Sequence, residues 1–161
     1  MKHIAATLAF LATATPSLAL SCLPADPAGM YQSAAGSTDR YVAVHGTFLR
    51  DGPDITAGGS DTVDAIPFGY DALFYGDLGS RAGFRTPVEL LVHIEVDCVS
   101  VWCGSPPADG IPTLAFLRVD DNREYFLEVG ACPTTLMMRP SQDDLDQIAD
   151  CMAGRSCPPQ F

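Results

Sequence analysis

The chain has 161 residues, 47% of them hydrophobic, and carries twenty Asp and Glu against nine Lys and Arg, for a net charge of −11. Such a surface repels nucleic-acid phosphates and anionic lipid head groups, which argues against nucleic acid as a partner. No stretch reaches eighteen consecutive apolar residues, which argues against membrane insertion, and the length suits one domain.

Residues 1–19 read as a signal peptide: Lys2, an apolar run over 4–14, and the small-x-small cleavage site Ser17-Leu18-Ala19. Leu20 stands where a lipoprotein signal prefers a small residue, so Cys22 reads as a disulfide cysteine rather than a lipid anchor. Cleavage after Ala19 removes the chain's single lysine and leaves eight arginines against twenty acids. Arginine in place of lysine is the bias of a GC-rich genome and points to a bacterium. The expected location is secreted or periplasmic, with residues 20–161 forming a single domain.

Residues 20–40 hold Pro24, Pro27, Gly29 and Gly36 without a sustained period, and read as an extended lead-in. Residues 41–49 form the first strand, with Val42, Val44 and Phe48 on one face and Gly46 marking a bulge or sharp coil. Residues 50–67 carry Asp51, Asp54, Asp61 and Asp64 among glycines and prolines; the order of an EF-hand loop is absent, so this reads as a solvated acidic loop. A short strand centred on 73–75 follows, and Gly76, Gly79 and Gly83 then break the chain.

Residues 88–102 are the organising stretch. Val88, Leu90, Val92, Ile94 and Val96 share one parity, and Glu89, His93, Glu95 and Asp97 the other, which predicts a long strand with one buried face. Fifteen residues at about 3.3 Å each would span roughly 50 Å, so the strand must coil or break, near 98–102. A long curling strand is what a small closed barrel needs. Residues 113–119 and 124–129 predict a hairpin around Asp120-Asp121-Asn122-Arg123. A helix over 141–152 is capped by Ser141, with Asp143 and Asp144 in its first turn and Leu145, Ile148, Ala149 and Met152 as its apolar stripe. The expected fold is mainly β: a small, OB-like five-stranded barrel with a C-terminal helix, stapled by disulfides.

Six cysteines behind a leader read as three disulfides. Cys151 and Cys157 straddle the helix stop at Gly154 and are expected to pair locally. The other four, Cys22, Cys98, Cys103 and Cys132, can pair in three ways.

No nucleophile-elbow, zinc-protease, phosphate-loop or dinucleotide motif is present, so no catalytic residue and no cofactor is expected. One constellation carries possible chemistry: His93, Glu95 and Asp97 on one strand face, with His45 as a further metal ligand if its strand lies alongside. Read plainly, these residues are the solvated face of a half-buried sheet. The expected function is therefore a non-enzymatic binding module whose partner is another protein. The alternative is a small metal-dependent or hydrolytic enzyme built on the His93 face.

Cys22 near the start, Trp102-Cys103-Gly104 after the long strand, and Gly130-Ala131-Cys132-Pro133 after the hairpin resemble the layout of the netrin-like domain of tissue inhibitors of metalloproteases and related secreted modules. The resemblance implies an OB-type barrel, and it implies pairing of Cys22 with Cys103 and of Cys98 with Cys132. The other pairing weighed is Cys22 with Cys132 and a local Cys98–Cys103. Those inhibitors chelate zinc through the amine and carbonyl of an N-terminal cysteine in Cys-x-Cys. Here Leu20 and Ser21 precede Cys22 and Cys22-Leu23-Pro24 lacks the second cysteine, so the resemblance extends to fold and not to that mechanism.

Overall fold

The computed structural model describes residues 22–50, 52 and 67–159. Residues 1–19, expected to be a signal peptide, and Asp51, Asp54, Asp61 and Asp64, expected in a solvated loop, lie outside these described residues. The elements are α1 (Pro27–Gly36), β1 (Arg40–Arg50), β2 (Phe68–Ser80), β3 (Gly83–Val96), β4 (Cys98–Val99), β5 (Trp102–Cys103), β6 (Thr113–Val119), β7 (Tyr125–Val129), β8 (Leu136–Met138) and α2 (Gln142–Met152).

Alternation decides which side of each strand is buried. Val44 and Phe48 of β1, Ala72 and Phe74 of β2, and Val92, Ile94 and Val96 of β3 face one interior with Ala115, Leu117, Leu127 and Val129. To enclose that interior the strands form a ring. β1 pairs antiparallel with β2, and β2 with β3; β3 runs parallel to β7; β6 pairs antiparallel with both β7 and β1. The β1–β6 pairing closes a five-stranded OB-like barrel, and β8 adds to β6 outside the ring.

The barrel is tight because β1 and β2 cross at a glycine pair. Gly46 lies opposite Gly76, and the Phe74 ring fills the space that two Cβ atoms would take. The second strand is thirteen residues long rather than the short segment expected around 73–75. Gly76 and Gly79 lie inside it: Gly76 is paired with both β1 and β3, and Gly79 with β3 at a register shift, and this pairing overrides their weak strand propensity. Only Gly83 acts as a break, at φ +91° in the turn into β3. The long strand accordingly begins earlier than expected, and it ends at Val96.

The helices cover one side of the barrel. Leu145 and Ile148 of α2 and Met30 of α1 pack on Ala43, Leu114 and Phe116, which project outward from β1 and β6. Ser141 and Asp144 cap α2 reciprocally, as the sequence predicts for this terminus. Helix α1 corrects the extended lead-in expected for residues 20–40. Asp26 accepts a hydrogen bond from the Gly29 amide at 3.0 Å and Pro27 occupies the first turn, a start signal strong enough for ten residues despite a poor apolar stripe.

The disulfides are Cys22–Cys132, Cys98–Cys103 and Cys151–Cys157. The last is the local bond expected from spacing. The implied pairs Cys22–Cys103 and Cys98–Cys132 are overturned. After β3 the chain folds straight back: Ser100 takes φ +55°, Val99 faces Trp102, and Cys98 lies opposite Cys103 in the β4–β5 ladder. Each is thereby the other's nearest partner, and α1 brings Cys22 back to the segment following β7.

Candidate binding cleft on the barrel wall

Helices α1 and α2 lie over β1 and β6, and α2 also reaches β2 and the Phe84 end of β3; among the described residues no helix lines the outward face around Asp71, His93 and Phe126. The ladder registers line up one residue from every barrel strand across it. Tyr41 pairs with Arg118, Arg118 with Phe126, Phe126 with His93, and His93 with Asp71. All five side chains point outward, forming a belt perpendicular to the strands.

Interactions run along this belt. The Arg118 guanidinium sits 4.5 Å over the Phe126 ring, donates from Nε to Glu128 at 2.5 Å, and lies 3.6 Å from Glu95. The Glu128 hydrogen bond holds the Arg118 pKa above its ordinary value, against the opposing effect of burial. Tyr41 donates its hydroxyl to Glu128 at 3.3 Å, and burial, followed by the Glu128 charge, raises the phenol's pKa. At the other end His93 Nδ1 is 2.8 Å from Asp71 Oδ1. This geometry suits Nδ1–H as the donor to the carboxylate, and in that tautomer of the neutral imidazole Nε2 is the acceptor.

Beside the belt, between β3 and the turn joining β6 to β7, lies an open cleft of about 660 Å³. Its floor is Leu90, Tyr125 and Phe126, and its rim carries the carboxylates Asp71, Glu89, Glu95 and Glu124 against one arginine, Arg123. Leu91 on the same side is 60% exposed. Apolar floor and acidic rim together suit a ligand with an apolar body and a positive charge.

Of the residues anticipated from sequence, His93, Glu95 and Asp97 line one shallow depression beside Phe68 and Gly69. His93 pairs with Asp71, Glu95 faces Arg118, and Asp97 lies at the end of β3, its amide donating to Val129 O at 3.0 Å. His45 does not join them. It lies opposite Asp77 whereas His93 lies opposite Asp71, six residues along β2 or roughly 20 Å away. Its ring packs edge-on against Phe84, toward the helix-covered side. Among the described residues no three His, Cys, Asp or Glu side chains gather as a metal site. Register therefore keeps His45 from joining His93, Glu95 and Asp97, the alternative ligand set weighed from sequence: shared outward parity does not bring the two strands' histidines together. The sequence reading missed Asp71, Arg118, Glu128, Tyr41 and Phe126. Their outward parity was legible, but nothing local encodes which cross-strand neighbours meet.

Burial lowers the His45 pKa, with Asp77 opposing. The folded protein thus binds this proton less readily than the unfolded chain, so stability is intact above the ordinary histidine value of about 6.5 and is lost as pH falls through it. The urea midpoint should drop between pH 7 and pH 5 more steeply in the wild-type protein than in His45→Gln; equal slopes would refute this.

No protein-family model, curated protein or solved structure matches the chain.

Proposed function

We propose that the protein is a secreted or periplasmic, non-enzymatic binding module that holds a protein partner through the cleft between β3 and the β6–β7 turn. The observation that carries this reading is the cleft's composition, four carboxylates around an apolar floor. The partner segment it suits presents Arg or Lys beside apolar residues. In other OB-type barrels this wall takes oligonucleotides or oligosaccharides, and here the carboxylates and the chain's net charge of −11 oppose phosphate. The location is supported by the three disulfides, which persist in oxidising compartments. Kinship with netrin-like domains is supported by the barrel with its C-terminal helix, while the disulfide pairing departs from that family's layout.

A second reading, a hydrolase, draws on the Asp71–His93 pair, in which the carboxylate orients an imidazole whose Nε2 could act as base. No serine, threonine or cysteine lines the cleft among the described residues, so such an enzyme would have to activate water.

Blocked hexapeptides of alternating arginine and valine, aspartate and valine, or serine and valine separate the readings by fluorescence anisotropy. The arginine peptide should bind, weaken with salt, and lose about five- to tenfold in affinity in Glu89→Gln/Glu124→Gln. Indifference to peptide charge would sink the binding reading. Turnover of peptide or ester substrates abolished by His93→Ala would replace it with the enzyme.

A further inference from the structure

The cleft exists because two neighbouring strands differ in length. β3 runs from Gly83 to Val96, whereas β7 pairs only with Val92 to Val96. Upstream of Val92, on the side where β7 would continue, β3 has no neighbouring strand among the described residues; the chain turns away through residues 120–124, and the cleft opens in its place.

The backbone groups on that side can be identified. The Asp97 amide donates to Val129 O of β7. Alternate residues of a strand direct their amide and carbonyl to the same edge, so odd-numbered residues of β3 face β7's side. The Leu91 amide, both backbone groups of Glu89 and the Pro87 carbonyl are therefore aimed into the cleft, and no described residue meets them. The matching overhang on β1 is treated differently. Beyond Gly46, where β6 ends, Gly110 donates to Phe48 O at 3.0 Å and the Arg50 amide donates to Asp109 Oδ1 at 3.1 Å. Among the described residues, the chain covers one overhang with its own loop and leaves the other open.

We propose, resting on the binding reading above, that residues 87–91 of β3 accept an extended segment of the partner protein as an added strand, with apolar and cationic residues alternating along it. The alternation follows from the pleat. A strand laid here turns one set of side chains toward the inward-facing Val88 and Leu90 and the other toward Glu89 and Asp71 on the outer wall. Pro87, which has no amide to donate, and the charge of Glu89 restrict the edge against indiscriminate pairing. Ladder bonds supply affinity, and the acidic rim selects the segment.

The test uses the full oxidised protein, labelled with ¹⁵N, and the blocked arginine–valine hexapeptide. At saturation, hydrogen exchange of the Leu91 and Glu89 amides should slow by about tenfold or more. Two isomeric peptides, N-methylated at every arginine or at every valine, block opposite edges of the added strand. One should lose at least about tenfold in affinity while the other stays within about threefold of the parent. Charge-dependent binding with unchanged exchange and equal affinity of the two isomers would end strand addition and leave the acidic cleft standing. Binding indifferent to charge, or none, would end both. Protection of the same amides without peptide, with a doubled mass in solution, would assign the edge to a second copy of this chain.

Discussion

Replacing Cys22 and Cys132 together by serine should lower stability by about 4.8 kcal/mol, roughly twice the loss from either of the other disulfides. The Cys22–Cys132 bond joins residues 110 apart and encloses α1 and the whole ring of strands through β7. In the unfolded chain that constraint removes far more conformational freedom than closing the short loops of Cys98–Cys103 or Cys151–Cys157, separated by 5 and 6 residues. Loops of that size are worth about 2.2–2.4 kcal/mol each in the same chain-entropy account. Urea unfolding of the three double-serine variants measures this directly. Equal midpoints for all three, or a larger loss at Cys98/Cys103, would show that local order in the native state outweighs loop entropy here.

Gly76→Ala should cost about 3 kcal/mol, the upper end of the range for overpacking a core. A Cβ at Gly76 would lie 2.3 Å from His45 O and 2.6 Å from Gly46 Cα, and one at Gly46 would lie 2.2 Å from Tyr75 O. The obstructing atoms are backbone of the paired strand, so relief requires opening the β1–β2 ladder at its tightest point. Shifting Phe74, whose Cζ also approaches to 2.7 Å, is no easier because that ring is wholly buried. Gly36→Ala is the control. It lies at the end of α1 with nothing within 4 Å, and alanine there should be neutral or stabilising by about 0.5 kcal/mol or less. If Gly76→Ala unfolds with the wild-type midpoint, the account of barrel closure through this glycine pair is wrong.

Much of the barrel was written in periodicity. The parity of Val88 to Val96 decided which face of β3 is buried, and the stripe from Leu145 to Met152, with Ser141 ahead of it, decided α2. Both are local consequences of side-chain direction and end capping, so they survive without knowledge of any neighbour. Cys151 and Cys157 paired as expected for the same reason, since the helix stop holds them close before the rest of the chain is placed. Helix α1 was also legible in principle, through Asp26 and Pro27, but its weak apolar stripe hid it.

What the tertiary structure alone decided is who stands beside whom. Asp71 meets His93, Arg118 meets Glu128, and His45 stays remote from both because antiparallel and parallel registers, not sequence distance, set cross-strand neighbours. The pairing of Cys22 with Cys132 depended on a helix turning the lead-in back, and that of Cys98 with Cys103 on one residue at positive φ. The open edge of β3 is of the same kind. Each strand's own pattern fixes which side chains turn inward, but a cleft arises only from the difference in length between two strands brought together by ring closure, and no single segment carries that information.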